Sequence, residues 1–374
     1  MSATPRGISR RMLGAFTAFV LVHAACLGAI WSGVTAGALW LMLGLYLLRM
    51  FGITAGYHRY LSHRAFKTSR IFQFVLAFLA QSSLQSGAVW WAAKHRAHHR
   101  HSDMAEDSHS PVQHGFWFSH LGWIFNTEAA AADYSRVPDL TRYPELMWLN
   151  RNRFLPGIVL GLLCFLGFGW AGLFVGFFWS TVLLYHSTFA INSVAHVLGR
   201  PRYLTGDESK NNFWLAMLTL GEGWHNNHHY YMASARQGFY WWEIDLTYYA
   251  LRLLGVFNIV WDIKEPPAHV LAGQRKVGDQ MMDQIARRVA GSFCAETISH
   301  KVREKFAALT HSAADARTAA MAELVKAELP SMDEIRRKAA RMFAKTEALA
   351  EVVERARERL ALAVSQRVAA DAAC

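Results

Sequence analysis

Three histidine clusters in this sequence have the residue type and the spacing of a metal site. The central cluster lies in the stretch 90–103, where the histidines fall at i, i+3 and i+4: His95, His98 and His99. On a helix those offsets share one face, which predicts that the three imidazoles converge on one point. Neutral imidazole is the commonest metal ligand among side chains, and it suits iron, zinc, copper and nickel.

Two further clusters stand far from the central one in sequence. An H-x-x-x-x-H pattern precedes it, formed by His58 and His63, and a second H-x-x-H-H follows it, formed by His225, His228 and His229. One cluster alone is explained equally well as a solvated, histidine-rich surface. Three clusters, each beside a strongly apolar segment, favour a shared metal site.

One more histidine, His196, stands at the end of an apolar block, with Asn192 one helical turn before it. It raises the number of candidate ligands to nine, which is too many for one ion and suits two. Carboxylates are scarce nearby, whereas a hydrolytic zinc pair is expected to include them. A nitrogen-rich site beside a membrane therefore favours two redox-active iron ions that activate oxygen on a lipid-like substrate.

The composition indicates a membrane protein. The chain has 374 residues, of which 53% are hydrophobic, and it carries a formal charge of +11. No nucleic-acid-binding motif accompanies this charge, so basic loops facing anionic lipid explain it better. The cysteines form no C-x-x-C pair, which disfavours disulfide and zinc–thiolate sites.

Apolar segments long enough to cross a bilayer predict an all-α integral membrane protein with four transmembrane helices in two hairpins. The predicted spans are 12–30, 34–51, 154–168 and 170–191. Basic residues flank the open ends of both hairpins, which predicts that both termini and all the histidine clusters are cytoplasmic. His23, inside the first span, is predicted to be a packed or polar-paired residue, and His109, His114 and His120 to be surface or outlying residues.

The sequence divides into two predicted domains. Residues 1–269 form the membrane domain, in which the segments 52–153 and 192–265 build a helical cap that carries the histidines. Residues 270–374 are charged, rich in alanine and helical in pattern, which predicts a soluble extension. Ser331 and Glu334 have capping-box spacing and predict a helix that runs toward Val368.

The clusters together resemble the histidine boxes of membrane-bound fatty acyl desaturases. The matching stretches are H-R-Y-L-S-H from His58, H-R-A-H-H from His95, N-S-V-A-H from Asn192 and H-N-N-H-H from His225. The resemblance covers about residues 51–231 and is strongest to the stearoyl-CoA-desaturase-like, delta-9 group, with a bacterial character. Any one box is a weak signal, but the set in this order is specific.

The resemblance implies two iron ions, with oxygen as co-substrate. One ion would be held by His58, His63, His95, His99 and His228. The other would be held by His98, His196, His225 and His229, with Asn192 reaching it through a water molecule. The implied reaction removes hydrogens from adjacent methylenes of a saturated chain of about sixteen to eighteen carbons, and a narrow tunnel would choose the position.

The resemblance also raises the question of the acyl carrier. Tunnel residues are predicted on one stretch of the chain: Gln81, Gln85, Ser86, Trp90 and Trp91. At two places where animal relatives have charged residues for coenzyme A, this chain has Ala93-Lys94 and Thr127-Glu128. Coenzyme A, acyl carrier protein and phospholipid therefore all remain open as carriers.

Other functions remain as alternatives at this stage. A related membrane hydroxylase of lipids or alkanes would use the same irons, and a metal transporter would use the histidines without oxygen chemistry. Transport is disfavoured because the clusters lie outside the predicted spans. The sequence has no haem or iron–sulfur motif, which predicts a separate electron donor of the ferredoxin, rubredoxin or cytochrome b5 type. The bacterial character of the resemblance predicts a location in the bacterial inner membrane.

Overall fold

The computed structural model describes residues 10–126, 131–274, 278–307, 314–342 and 348–372, and these are mostly helical. Thr127 and Glu128 lie outside the described residues. The contacts divide the chain into two compact units. The first consists of residues 1–200 and 208–266, and the second of residues 201–207 and 267–374.

The first unit is built from helices with a single short strand pair among its described residues. The strands β1 (Lys67–Thr68) and β2 (Val260–Trp261) are antiparallel, with Thr68 opposite Val260. The helices are α1 (Arg10–Ala25), α2 (Ala29–Ser32), α3 (Ala36–Phe51), α4 (Arg70–Gln81), α5 (Ala88–His101), α6 (Pro111–His114), α7 (Phe116–His120), α8 (Pro138–Thr141), α9 (Pro144–Arg151), α10 (Leu155–Ala171), α11 (Ser180–Val197), α12 (Phe213–Leu218), α13 (His225–Tyr230) and α14 (Leu246–Val256).

Three helices in the described part of the chain are long and apolar enough to cross a membrane: Met12–Ser32, Ala36–Ser62 and Leu155–Val197. The second extends past the predicted end at 51, because a π-helical segment, Gly52–Ser62, continues α3 without a break. The third has 43 residues and is interrupted at Gly169, whose φ of +62° favours glycine. This interruption falls between the predicted spans 154–168 and 170–191.

A buried arginine ties the long apolar helices together. Arg49 of α3 is fully buried. Its Nη1 donates to Thr181 Oγ1 at 2.8 Å, and its Nη2 donates to Ser180 Oγ at the start of α11. Nη1 also donates to the carbonyl of Ser82, which follows α4. Neutral oxygens thus satisfy the guanidinium, since a buried polar group without partners is costly.

Hydrogen bonds between histidine side chains also link the long apolar helices. The Nε2 atoms of His23 on α1 and His186 on α11 lie 3.1 Å apart, which confirms the predicted polar pairing of His23. His186 Nδ1 lies 3.1 Å from Nε2 of His120 on α7. His120 in turn lies 3.0 Å from the Ser193 hydroxyl, so α1, α7 and α11 share one hydrogen-bonded chain.

Small side chains allow α5 to pack closely in the core of the first unit. Ala88, Ala92 and Ala93 are buried against the π-helical segment and α9, with Leu146 and Leu149 beside them. The opposite end of α5, which carries the central histidine cluster, is thereby held in a fixed place.

The second unit is a helical bundle with its own cores. Its helices are α15 (Ala268–Leu271), α16 (Asp279–Gly291), α17 (Ala295–Ala307), α18 (Ala314–Glu328), α19 (Met332–Met342) and α20 (Leu349–Ala372). The predicted capping box is present: the Glu334 amide donates to Ser331 Oγ at 3.2 Å and the Ser331 amide to Glu334 Oε2 at 2.9 Å. It opens α19, which ends at Met342, and residues 343–347 lie outside the described residues.

We expect that removal of residues 270–374 leaves membrane insertion and metal binding by the first unit intact, because the nine candidate ligands all lie between residues 58 and 229. Carbonate-resistant membrane association and metal content per chain would test this. Leu204 packs in a core of the second unit with Met282 and Ile335, so the deletion exposes it. A truncated chain with Leu204→Ser controls for that exposure, and loss of metal from both truncated chains would contradict the expectation.

Candidate metal centre

The helix α5 splits the central histidine cluster between two places. His95 and His99 face the same way, and their Nε2 atoms lie 2.9 Å apart. His98 instead joins a different group of histidines. The expectation that all three converge on one point is therefore wrong, because consecutive side chains on a helix are separated by about 100° and His98 and His99 cannot share a target.

The π-helical segment gives His58 and His63 a common direction. Five residues apart, these side chains would diverge on an α-helix, where same-face neighbours are three or four apart. The amide of His63 donates to the carbonyl of His58 at 3.2 Å, which is the i→i+5 bond of a π turn. The H-x-x-x-x-H spacing thus fits the local helix type, and His63 Nε2 lies 2.9 Å from His95 Nε2.

The downstream cluster closes the arrangement from the short, buried helix α13. His228 Nε2 lies 2.9 Å from Nε2 of both His58 and His99. His225 Nε2 lies 3.1 Å from Nε2 of His196 near the end of α11. Asn192 is half-buried one turn before His196 on that helix. Four separate elements therefore supply the imidazoles.

The nine histidines fall into two adjoining groups. Within each group, the potential ligand atoms all lie within 4.8 Å of one another. The first group comprises His58, His63, His95, His99 and His228, and the second comprises His98, His196, His225 and His229. The rings of His99 and His229 have centroids 4.4 Å apart, so the groups touch. The arrangement suits a pair of ions.

The spacing of the nitrogens fits metal ligation. Two nitrogen ligands about 2.1 Å from one ion and at right angles to each other lie about 3.0 Å apart. Along the first group, the Nε2 atoms of His63, His95, His99, His228 and His58 follow one another at 2.9 Å. This chain of equal short distances is what ligands around a common ion require.

Electrostatics keep these ligands neutral. Burial and the neighbouring imidazoles hold the pKa of His63, His95, His99 and His228 well below the usual value of 6.5. A neutral imidazole offers a lone pair, whereas a protonated one cannot bind a cation. The environment thus prepares the nitrogens for a metal ion.

Carboxylates contact the Nδ1 atoms of three candidate ligands. His58 Nδ1 contacts Glu222, His98 Nδ1 lies 3.0 Å from Asp107, and His196 Nδ1 lies 2.9 Å from Asp103. An ionised carboxylate only accepts, so each Nδ1 carries a proton, and in the neutral ring Nε2 then presents its lone pair. Such partners orient metal ligands and raise their basicity.

The carboxylate partners are functional residues that the sequence reasoning missed. Their positions in the sequence could have identified them, because Asp103 and Asp107 closely follow the central cluster and Glu222 precedes the downstream one. Asp107 also contacts His109, whose ring stacks on His98 with centroids 4.5 Å apart. Burial lowers the pKa of His109 to about 3, so it is a neutral packing partner there.

A buried ion network supports Glu222. Arg59 donates to Glu222 Oε1 at 3.0 Å and to Asp245 Oδ1 at 2.9 Å, and all three residues are buried. Burial by itself would raise the pKa of Glu222, but His58 and Arg59 hold it below its usual value. The carboxylate therefore remains ionised and available to His58.

The predicted tunnel residues lie at the end of α4, on the turn that follows it and on α5. The Trp91 ring stacks on His95, with centroids 4.8 Å apart. Gln85 donates to Thr188 Oγ1 at 2.8 Å, and the Ser86 carbonyl accepts from Tyr57 at 2.9 Å. Ser86 has φ +71°, an unusual conformation for a residue other than glycine.

Trp90 and Gln81 make contacts with the segment around α9. The Trp90 amide donates to Asn150 Oδ1 at 2.9 Å. The Gln81 side chain is fully buried, donates to the carbonyl of Leu149 at 2.8 Å and accepts from the Ala88 amide. These bonds fix the turn between α4 and α5.

Comparison with known proteins agrees with this geometry. The fatty acid desaturase family model matches residues 32–255, which is more than half of the chain. The sn-2 palmitoyl-lipid 9-desaturase of Nostoc sp. is 37% identical over 61% of this chain and 83% of its own length. The sn-1 stearoyl-lipid 9-desaturase of Anabaena variabilis is 36% identical over 64% of this chain and 89% of its own.

A plant relative widens the range of activities. The acyl-CoA 5-desaturase of Anemone leveillei is 38% identical over 66% of this chain and 77% of its own length. Relatives thus include proteins named for acyl-lipid and for acyl-CoA substrates. The match covers α3 to α14, the part of the chain that holds both histidine groups. The chain therefore belongs to the fatty acid desaturase family, and it is an oxidoreductase of lipid metabolism.

Proposed function

We propose that this chain inserts a cis double bond at the delta-9 position of a saturated acyl chain of about sixteen to eighteen carbons, using a di-iron centre. The observation that carries the proposal is the pair of adjoining imidazole groups with nitrogen spacings of 2.9–3.1 Å. Each turnover would consume oxygen, two electrons and two protons, and would release two water molecules with the alkene. A nitrogen-rich ligand set is compatible with iron.

The two histidine groups would each hold one ion. The first group offers five nitrogens and the second offers four. Asn192, one helical turn before His196, would reach the second ion through a water molecule. When bound, the irons would supply the oxidising power that removes hydrogen from unactivated C–H bonds. The residues of the chain keep the nitrogens neutral, orient them through carboxylates and exclude bulk water by burial.

The position of the new double bond would depend on how the acyl chain is held. Trp91 stacks on His95 of the first histidine group, and Gln85, on the turn before α5, is held by its bond to Thr188. A chain fixed there would present only certain methylenes to the centre. The delta-9 assignment is supported by the names of the two cyanobacterial relatives, while the plant relative is named for delta-5.

The membrane arrangement proposed here has four spans, with the long helix Leu155–Val197 folded as a hairpin at Gly169. Basic residues near the ends of both hairpins support a cytoplasmic location for the termini and the histidine-rich cap. Residues 270–374 would form a separate soluble domain. Electrons would come from another protein, of the ferredoxin, rubredoxin or cytochrome b5 type.

The proposed substrate is an acyl chain esterified in a membrane lipid. Lys94 is half-buried on α5, and at the places where animal relatives have charged residues for coenzyme A it is the single basic residue. Recognition of several phosphate groups favours clustered arginine and lysine. The acyl-lipid names of the cyanobacterial relatives support the same choice.

We expect about two iron ions per chain in protein purified with iron supplied, and loss of one ion or both in His98→Ala and His228→Ala, because each removes a buried ligand. Metal analysis and Mössbauer spectra would measure this. His101→Ala is the matched control, since His101 lies on α5 but in neither group. One zinc ion with full activity, or a product that gains oxygen instead of losing hydrogen, would contradict the proposal.

We expect Glu222→Gln to weaken metal retention by about 10–100-fold, the usual effect of removing a carboxylate behind a histidine ligand. The amide cannot accept from His58 as strongly, and it leaves Arg59 with less compensating charge. Metal release to a chelator would measure the effect. Glu145→Gln removes a surface carboxylate paired with Arg70 and should leave release unchanged. Partial recovery in Glu222→Asp would separate positioning from misfolding, and equal release in all variants would contradict the role.

We expect turnover with dipalmitoyl phospholipid to exceed turnover with palmitoyl-CoA when enzyme, electron donor and oxygen are supplied. The reason is that Lys94 is the single basic residue at the two places where animal relatives have charged residues for coenzyme A. Product analysis by mass spectrometry would compare the two. Glu128→Lys should raise the activity with palmitoyl-CoA, since it replaces a repelling carboxylate with a cation. Salt-sensitive turnover on the coenzyme A ester alone, with no gain in Glu128→Lys, would contradict the choice of carrier.

A further inference from the structure

The first unit has an exposed apolar surface outside its long apolar helices. We call it the apolar platform, and it consists of α12, the segment 241–246 and α14. Trp214 and Trp241 are each 80% exposed, and Val256 is 79% exposed. Leu253 and Phe257 are also largely exposed. Large exposed apolar residues are thus concentrated in this part of the chain, which indicates a partner, because single exposed apolar residues are common but concentrations of them are not.

The segment 242–247 has the reverse of the usual burial pattern. Its exposed residues are apolar: Trp242, Ile244 and Leu246. Its buried residues are polar, and they are Glu243, Asp245 and Thr247. Exposed apolar and buried polar residues thus alternate along this turn and into the start of α14, so the apolar side chains lie outward and the polar ones toward the protein. Such an arrangement is stable where the outer solvent is lipid.

The polar side of this segment contacts residues beside the histidines. Glu243 accepts from Asn227 Nδ2 at 2.8 Å, and Asn227 lies between His225 and His228. Asp245 pairs with Arg59, which pairs with Glu222.

The backbone of the segment makes a third contact of the same kind. The indole nitrogen of Trp224, the residue before His225, donates to the carbonyl of Ile244 at 2.8 Å. Three successive residues, 243–245, thus each bond a residue next to a histidine or to its carboxylate partner. The apolar platform and the histidine groups are therefore linked directly through short contacts.

A lipid bilayer fits the apolar platform better than a protein partner does. The platform continues the surface of the long helices: Tyr46 of α3 donates to the carbonyl of Leu218 at 2.5 Å, and Leu220 packs with Tyr46 and Leu184. The charged residues of the platform are Glu243 and Asp245, which are buried, and Arg252, which is exposed and pairs with Glu265. Exposed tryptophan and tyrosine beside an apolar surface are typical of the membrane interface.

We propose that the apolar platform rests in the bilayer and that this contact with lipid holds Glu243, Ile244 and Asp245 against the residues that position the histidines. Contact with lipid then stabilises the positions of the histidines as well as the location of the platform. The part that concerns metal rests on the proposed function, whereas the part that concerns lipid contact does not.

Spin labels test the lipid contact. In a chain whose four native cysteines are replaced by alanine, labels at Trp241→Cys and Leu253→Cys would be compared with one at Glu106→Cys, an exposed polar position. In vesicles of phosphatidylethanolamine and phosphatidylglycerol, we expect the first two labels to collide with oxygen and the third with a water-soluble nickel chelate. Labels at 241 and 253 that behave like the one at 106 would overturn the proposal and assign the surface to a protein partner or a second copy.

Metal release tests the link to the histidines. Protein loaded with cobalt ions and held in the same vesicles would be exposed to a chelator. We expect Trp241→Ser and Ile244→Ser to release cobalt about tenfold faster, since each loses the burial of a large apolar side chain in lipid. Leu362→Ser on α20, which is 52% exposed, is the matched control and should release it at the wild-type rate.

The outcomes of the two tests are distinguishable. Wild-type release in Trp241→Ser and Ile244→Ser, with labels that report lipid, would overturn the link between the apolar platform and the histidines. Failure of the wild-type chain to bind any metal would overturn the proposed function instead. The labels would then still decide whether the platform lies in lipid.

Discussion

The close packing of nine imidazoles is the feature on which the rest of the structure depends. His58, His98 and His196 each have Nδ1 against a carboxylate, so in the neutral ring Nε2 presents a lone pair. Neighbouring ring nitrogens lie 2.9–3.1 Å away, a distance that suits either an N–H···N hydrogen bond or two ligands of one ion. A neutral ring has one N–H, so hydrogen bonds between rings use their lone pairs only in part. A bound cation would accept lone pairs from several rings at once, and the carboxylates behind the ligands would compensate for its charge.

The elements around the histidines produce this close packing. A π turn aligns the side chains of His58 and His63, and α5 directs His98 away from His95. Buried Arg59 and Arg49 anchor the helices that carry or support these residues, one through carboxylates and the other through neutral oxygens. The first unit therefore combines an apolar exterior with an interior that is rich in paired polar groups.

Much of this arrangement could be predicted from spacing and composition. The nine histidines, the approximate apolar segments and the break near Gly169 are visible in the sequence because each depends on local pattern. The assignment of His98 and His99 to different groups is predictable from helix geometry, because consecutive side chains on an α-helix are separated by about 100°. The pairing of Arg59 with Asp245 and the contact of Gln81 with Leu149 depend on residues that are brought together by the tertiary fold, and no local pattern marks them.

The spread of the histidines along the chain has a consequence for biosynthesis. His58 and His228 are 170 residues apart in sequence and meet at 2.9 Å. During translation the first ligands leave the ribosome long before the last, and contacts of such sequence separation form late in folding. The complete set of histidines therefore assembles only after the long apolar helices have been made. Until then the early histidines lack their partners from the later clusters, and the unfinished chain would be open to metal delivery and to quality control.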